Sequence, residues 1–319
     1  MRGWFLGWAL WAGCDPAPDV GTCRGQTLSD SEPSDGARDV FFRDPITVRL
    51  GSPDPDASLR LVGPEGEVAG VSSVDGATVS FRATEGLSPS TSYVATWSSC
   101  GDEGEIGFTT GELGAPVDDV SGLVSGTWHL DLTSGSIVSP AGLGDTLDTL
   151  LGGYPILVSV LAIGPAESVD LRVALGVFDQ RLVAQDRCSI TLELPDVTFE
   201  DPYFSRDADS FGMTWEGTPF TLTSFHVSGA FTADGEEIGG VAVSGQLDTR
   251  PLIPVFNDDP SVGPDQMCVF IAPFQVDCVA CADGSGPYCV DLSLSDLRAE
   301  RVDAPIEPRS YDEIALDPA

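Results

Sequence analysis

The chain has 319 residues, with 15 arginines, no lysine and 50 acidic residues, which gives a formal net charge of −35. So negative a chain repels nucleic acid and anionic lipid headgroups, which excludes both as partners, and its field attracts divalent cations. A hydrophobic content of 42% is ample for packed cores, and 36 glycines with 24 prolines are typical of short strands joined by turns.

Residues 1–13 predict a signal peptide. Arg2 is the only charge before Asp15, and the apolar segment between them has about a dozen residues, a length that suits a signal-peptide core and is too short to span a bilayer. Small residues precede Cys14, so the stretch resembles a bacterial lipoprotein signal, in which the cysteine is lipidated and becomes the new N-terminus. The alternative is an ordinary secretory signal cut near Ala12, which would leave Cys14 as a thiol.

The resemblance to a lipoprotein signal implies a location in the bacterial cell envelope. The protein would be anchored by the lipid on Cys14, would face the periplasm or the exterior, and would meet the membrane only through that lipid. Residues 14–32 are polar and lack periodicity, which predicts a tether between the anchor and the first domain.

Residues 33–111 predict an antiparallel sandwich. Ile46, Val48 and Leu50 alternate with polar residues, which is the period-two pattern of a half-buried strand. Similar alternations follow in "SLRLVG", "ATVSFRA", "SYVATW" and "EIGFTT", each bounded by Gly, Pro, Asp or Ser. Five to seven short strands in about 80 residues are typical of a two-sheet sandwich.

The same segment resembles the bacterial Ig-like domains of envelope and surface-layer proteins. The matching residues are Pro33, Gly36, Ala37 and Val40 at the entrance, Leu87, Pro89, Thr91 and Tyr93 in "LSPSTSYVATW", and "FTT" at 108–110. The resemblance implies an Ig-like β-sandwich that serves as a spacer or a binding module without catalysis. Such a fold by itself implies no ligand.

A linker at 112–121 leads to a larger β domain at 122–302, and residues 303–319 form a C-terminal tail. "GTWHLDLTSGSIV", "SVDLRVALGVF", "FTLTSFHVSGAFTA" and "YCVDLSL" again alternate, so eight or more strands are expected in a large antiparallel sandwich or a closed barrel. One short helix is predicted in "AGLGDTLDTLLGG", because Leu143, Leu147, Leu150 and Leu151 share a helix face. The fold class is therefore all-β.

Eight cysteines in an exported chain predict disulfides. Cys23 precedes the first domain and Cys100 follows a strand of it, so we expect a bridge between them. Cys281 and Cys289 flank a Gly-rich turn, where a bridge would staple a hairpin.

The pairing of the remaining cysteines in the second domain, Cys188, Cys268 and Cys278, stays open. If Cys14 carries a lipid, seven thiols remain and one is unpaired, whereas a secreted form with all eight cysteines could pair fully. Zinc is a further alternative at Cys278-x-x-Cys281 with Cys289, but the second C-x-x-C is missing and no histidine is near.

The sequence predicts neither an active site nor a cofactor. His129 and His226 are the only histidines, and each lies on the polar side of an alternating strand, where an exposed position is expected. Lysine is absent, which excludes a phosphate-binding P-loop, and no G-x-S-x-G, H-E-x-x-H or G-x-G-x-x-G motif occurs.

No metal is predicted either, although two acidic segments could offer oxygen ligands to calcium. One segment would place Asp201, Asp207 and Asp209 in a single loop, and the other holds Asp258, Asp259 and Asp265. Neither segment has the EF-hand spacing.

These observations predict a non-catalytic lipoprotein of the cell envelope with a structural or binding role, its partner another envelope protein or an apolar ligand. The alternative is a carrier that holds an apolar ligand inside a barrel formed by the second domain, with residues 143–151 as a lid or plug. An enclosed apolar cavity would favour the carrier, and a filled core would favour the structural role.

Overall fold

The structure is a computed structural model that describes residues 25–140, 155–165, 167–179, 182–215, 218–253 and 263–316. It is built of antiparallel sheets with little helix, which confirms the all-β prediction. The described chain forms two compact units, one of residues 25–85 with 91–109 and one of residues 86–90 with 110–316. None of the described helices is long and apolar enough to cross a membrane.

The first unit is a β-sandwich, as predicted. Its strands are β1 (Leu28–Glu32), β2 (Ala37–Val40), β3 (Ile46–Leu50), β4 (Ser58–Gly63), β5 (Gly66–Glu67), β6 (Gly70–Asp75), β7 (Thr78–Ala83), β8 (Ser92–Ser99) and β9 (Asp102–Thr110). One sheet has the order β1-β3-β7-β6 and the other the order β2-β9-β8-β4-β5. Ile46, Val48 and Leu50 are buried in the first sheet and Ala95 and Trp97 in the second, because alternate residues of a strand point to the same face.

The described part of the second unit has ten strands and two short helices. The strands are β10 (Thr127–Asp131), β11 (Ser136–Ser139), β12 (Ile156–Gly164), β13 (Ser168–Asp179), β14 (Leu182–Gln185), β15 (Leu192–Glu200), β16 (Tyr203–Trp215), β17 (Thr218–Phe231), β18 (Glu237–Asp248) and β19 (Cys289–Val302). The helices are α1 (Gln266–Ile271) and α2 (Tyr311–Leu316), and 3₁₀ turns lie at Val120–Leu123, Arg250–Leu252 and Ala272–Phe274. The helix predicted at 143–151 lies outside the described residues.

Eight of these strands close into an antiparallel barrel. The order β10-β12-β13-β15-β16-β17-β18-β19 follows the chain, and β19 pairs back to β10 with Trp128 opposite Arg301. β11 adds to β19 and β14 adds to β13 outside this ring. The structure thus decides between the two predicted architectures, because the first and last strands of the ring satisfy each other's edges.

Aromatic side chains fill one end of the barrel. Phe231 lies 5.2 Å from Trp128, 5.5 Å from Phe204 and 6.1 Å from Phe199, measured between ring centroids. The Trp128 indole N–H donates to the carbonyl of Gly235 at 3.2 Å, so its polar atom is satisfied although the ring is buried. This end of the barrel is therefore a packed core.

The chain after β19 packs along the outside of the barrel. Ala304 and Ile306 are buried in a small apolar cluster with Leu157 of β12 and Ala174 of β13. Side chains that precede β15 form hydrogen bonds with the main chain there at several points. We refer to residues 303–309 as the C-terminal strap.

Candidate binding groove

A groove of about 710 Å³ lies on the outer face of the barrel, between the β13–β14 hairpin and the C-terminal strap. Its volume lies within the range of small-molecule sites. The residues that define it, and that we call the His129 groove, are His129, Phe178, Leu182, Glu300, Asp303 and Arg309. The groove thus combines an apolar lip with several polar groups.

The lip is the end of the β13–β14 hairpin, which extends beyond the barrel. The pairing of β13 with β15 ends at Val173 and that with β12 ends at Leu175, so the rest of β13 pairs only with β14. Phe178 is 51% exposed and Leu182 is 75% exposed. Two large apolar side chains on one protruding hairpin are unusual on a free surface, and such groups commonly mark a binding site.

A glycine sets the base of this hairpin. A Cβ atom at Gly176 would lie only 3.1 Å from Pro155 Cγ and 3.1 Å from Val183 Cγ1. A larger residue would therefore force β14 and the chain before β12 apart. The glycine allows the hairpin to stay close to the barrel beside the groove.

His129 forms part of the groove floor. Its neighbours Trp128 and Leu130 point into the barrel, so the imidazole points outward, and its cross-strand neighbours are Leu157 and Glu300. The Phe178 ring stands edge-on to the imidazole, with 5.8 Å between centroids. The outward direction matches the sequence prediction, but the predicted exposure is wrong, because the hairpin leaves His129 only half-exposed.

Burial lowers the pKa of His129 below its usual 6.5, against the opposing effect of the Asp131 and Glu300 carboxylates. The charged imidazolium loses hydration in the groove, so the neutral ring is favoured. A neutral imidazole offers one donor and one acceptor nitrogen, and it adds no positive charge to the groove.

We expect this shift to make folding stability depend on pH. The folded state holds the His129 proton less tightly than the unfolded chain, so stability should fall as pH drops below about 6.5 toward the lowered pKa. Urea unfolding between about pH 7.5 and about pH 5.5 measures the free energy of unfolding of the wild type and of His129→Gln. As the pH falls, the wild type should lose more stability than the variant. A difference between the two proteins that stays constant across this pH range would contradict the assignment.

Reciprocal hydrogen bonds fix the strap that forms the second wall. The Gln185 side-chain amide donates to the Glu307 carbonyl at 2.8 Å, and its oxygen accepts from the Glu307 N–H at 2.8 Å. Arg309 N–H donates to Thr191 Oγ1 at 2.9 Å, and its guanidinium donates to the Arg187 carbonyl at 3.1 Å. The groove is therefore held on this side without help from a ligand.

The second histidine lies elsewhere on the barrel. His226 Nδ1 is 2.8 Å from the Asp207 carboxylate, and Asp207 is mostly exposed. Three strand spacings, about 14 Å, separate β17 from β10 around the barrel through β18 and β19. The structure does not bring His129 and His226 together.

The acidic segment at 201–209 is not a loop, so that expectation is wrong. Asp201 lies in the turn before β16, where its carboxylate accepts from the Val117 N–H at 2.9 Å. Asp207 and Asp209 lie within β16, and the part of β16 from Tyr203 to Asp207 alone spans about 13 Å. The three carboxylates therefore cannot share one ion. In the other segment, Asp258 and Asp259 lie outside the described residues, and Asp265 lies at the start of α1.

Two disulfides join four cysteines of the second unit. The predicted Cys281–Cys289 bridge is present, and a second bridge joins Cys268 to Cys278. Cys188 is free and exposed, which answers the pairing question that the sequence left open. Sulfurs held in disulfides are not thiolate ligands, so the zinc alternative does not fit.

Most of the N-terminal cysteines lie outside the described residues. Cys100 is bonded in a disulfide. Cys14 and Cys23 lie outside the described residues, so the lipid at Cys14 and the Cys23–Cys100 bridge stay predictions.

An arginine organises the carboxylates beside the Cys281–Cys289 bridge. Within the described ranges, Asp248, Cys281 and Cys289 are the one group whose possible ligand atoms converge. The Arg250 guanidinium donates to both oxygens of Asp248 and to Asp283 at 2.7–3.1 Å. These bonds hold the pKa of Asp248 below its usual range. We conclude that the ion pairs of Arg250 support the cysteine-rich loop, which is the segment of residues 275–288 before β19.

The sequence did not single out the hairpin residues of the groove. The signal present was two adjacent apolar residues, Val177 and Phe178, at the end of a segment that otherwise reads as a barrel strand. The alternation of apolar and polar residues does not by itself show that a strand extends beyond the strands it pairs with.

Comparisons with known proteins add little. No protein-family model matches the chain, and no curated protein matches it. Among solved structures, it is similar to CopC from Methylosinus trichosporium OB3b, with 22% identity and a TM-score of 0.24 over 27% of this chain and 94% of that one. It is also similar to the LD transpeptidase LdtMt1 in complex with imipenem, with 15% identity and a TM-score of 0.23 over 51% of this chain and 81% of that one. At these TM-scores neither likeness supports a functional argument.

Proposed function

We propose that the chain is an exported, non-catalytic binding protein, held at the cell envelope by a lipid on Cys14, whose barrel unit takes a ligand in the His129 groove. The observation that carries this proposal is the groove itself. It places the exposed apolar side chains of Phe178 and Leu182 beside a half-buried histidine and the Glu300 carboxylate. An apolar cleft with a few polar groups is the usual form of a binding site.

The disulfides support export. The Cys268–Cys278 and Cys281–Cys289 bridges require an oxidising compartment, since cytosolic thiols are kept reduced. The free Cys188 also agrees with lipidation, because seven thiols without Cys14 leave one unpaired.

The arrangement of the histidines supports a binding role over catalysis. A general base needs hydrogen-bond reach to a nucleophile or a bound substrate group. Within the described part of the chain, neither histidine is hydrogen-bonded to a serine, threonine or cysteine, and the only polar partner of His226 is an exposed carboxylate.

The anchor predicts a change of location. Cys14→Ser should remove the lipid and move the protein from the membrane fraction to the soluble fraction, because stable attachment would be lost with the acyl chains. Fractionation with mass spectrometry of the N-terminal peptide measures this, and Cys188→Ser should stay in the membrane fraction. An unmodified Cys14 in a soluble wild-type protein would leave plain secretion in its place.

The groove predicts binding of an apolar dye. Nile red should bind the wild-type protein, and Phe178→Ser should weaken the binding by about fivefold, since half of a phenylalanine side chain contributes roughly 1 kcal/mol. Phe270→Ser is the matched control, because Phe270 is 53% exposed and belongs to α1, which contributes no residue to the lining of the groove. Equal losses in the two variants, measured by fluorescence titration, would show that the dye does not use the groove.

The closed barrel favours a second candidate, a carrier with an apolar ligand in the interior. The aromatic packing around Phe231 fills one end of that interior, which counts against the carrier, because a filled core favours a structural role. Solvent extraction of the purified protein followed by mass spectrometry tests the carrier. If the protein is a carrier, about one apolar molecule per chain should be extracted from the wild type, and Phe178→Ser should not remove that molecule.

A further inference from the structure

We propose that the ligand of the His129 groove is an amphipathic organic cation, a molecule with an ammonium or guanidinium head on an apolar body. This inference rests on the proposed function and gives the chemistry of its ligand. It follows from the charges around the groove, from the aromatic ring at its lip, and from the neutral histidine on its floor.

Carboxylates without cationic partners line the groove. Glu300 projects from β19, and Asp303 and Glu307 belong to the strap. Among the residues that the structure describes, none of the three forms an ion pair, whereas Glu193, Glu236 and Asp248 each pair with an arginine. Three carboxylates that form no ion pair with a described residue, beside an apolar lip, complement a positive head group.

The groove also holds two arginines, Arg187 and Arg309. The Arg309 guanidinium donates to the Arg187 carbonyl, so it serves to hold the strap against the segment before β15. Arg187 is exposed and forms no ion pair within the described residues. The Arg187 carbonyl is neutral, so Arg309 keeps its charge, and the groove has three carboxylates against two arginines, an excess of one negative charge.

The remaining groups agree with a cation. The half-exposed Phe178 ring provides a π surface, to which ammonium and guanidinium groups are attracted. His129 is held neutral by burial, so it offers hydrogen bonds and no repulsion. The net charge of −35 attracts cations toward the whole molecule and raises their local concentration.

Three probes with the same apolar chain and different heads test the proposal. We expect n-octylammonium to bind the full-length protein about tenfold more tightly than n-octanoate at low ionic strength, with n-octanol between them. Isothermal titration calorimetry measures all three. Raising the salt from about 20 mM to about 300 mM should weaken octylammonium and leave octanol nearly unchanged.

A charge-removing variant identifies the groups responsible. Glu300→Gln with Asp303→Asn should weaken octylammonium by about fivefold and leave octanol unchanged, since only the ionic attraction is removed. Glu103→Gln with Glu105→Gln is the matched control, because it removes the same charge from exposed positions in the first unit. That control should leave octylammonium binding close to the wild-type value.

The possible outcomes separate the two proposals. If octanoate binds as tightly as octylammonium, or if the groove variant binds octylammonium like the control, the cationic ligand class is wrong. The binding function would then stand if Phe178→Ser still weakens octanol. If none of the three probes binds, both the binding function of the groove and its ligand class fail.

Discussion

Replacing Phe231 with alanine should lower the free energy of unfolding of the barrel unit by about 3–5 kcal/mol, the usual cost of removing a buried aromatic side chain. Phe231 is 1% exposed and contacts the rings of Trp128, Phe199 and Phe204. These three rings come from β10, β15 and β16, so one side chain joins strands from separate parts of the barrel. The neighbours cannot close the resulting cavity without moving those strands.

Urea unfolding followed by tryptophan fluorescence measures this loss. Phe270→Ala is the matched control, because it removes the same atoms from a position that is 53% exposed, and it should cost less than about 1 kcal/mol. A loss of that small size for Phe231→Ala would show that the aromatic end of the barrel is not closely packed.

Replacing both Cys281 and Cys289 with alanine should destabilise the barrel unit by about 2–3 kcal/mol, because the bridge closes a short loop and restricts the unfolded chain. The consequence extends beyond the loop, since Cys289 is the first residue of β19 and lies opposite Asp248 of β18. β19 is also the strand that pairs with β10 to close the barrel.

The same unfolding experiment, run without reductant, measures the loss. Cys188→Ala removes a thiol that is free and exposed, so it should change stability by less than about 0.5 kcal/mol. If the double variant unfolds like Cys188→Ala, the bridge contributes nothing to the stability of the closed barrel.

The sequence by itself determined the all-β character of the chain and the direction of many side chains. In "GTWHLDL" the alternation places Trp128 and Leu130 on one face and His129 on the other, and the structure has that arrangement. A period of two is a local property of extended backbone, so residues close in the chain suffice to specify it. The Cys281–Cys289 bridge was predictable for the same reason, since a Gly-rich turn separates the two residues by only eight positions.

Only the tertiary structure decided that the second unit is a barrel. Alternation marks the inward face of β10 and of β19, but it does not specify that Trp128 pairs opposite Arg301, more than 170 residues away in the chain. That pairing depends on the accumulated twist and tilt of all the strands between them. The pairing of Cys268 with Cys278 likewise required the position of α1 beside the loop.

The groove also depended on tertiary structure. The sequence predicts His129 at an exposed strand position. In the structure it is half-buried, because β13 extends beyond the barrel strands that it pairs with and brings the Phe178 ring to 5.8 Å from the imidazole, measured between ring centroids. The sequence placed Asp207 in an acidic loop, and the residue lies instead on a strand beside His226. The neighbours of a residue in the sequence determine which way its side chain points. The groups that the side chain contacts come from strands that are distant in the chain. The pKa of His129 depends on those contacting groups.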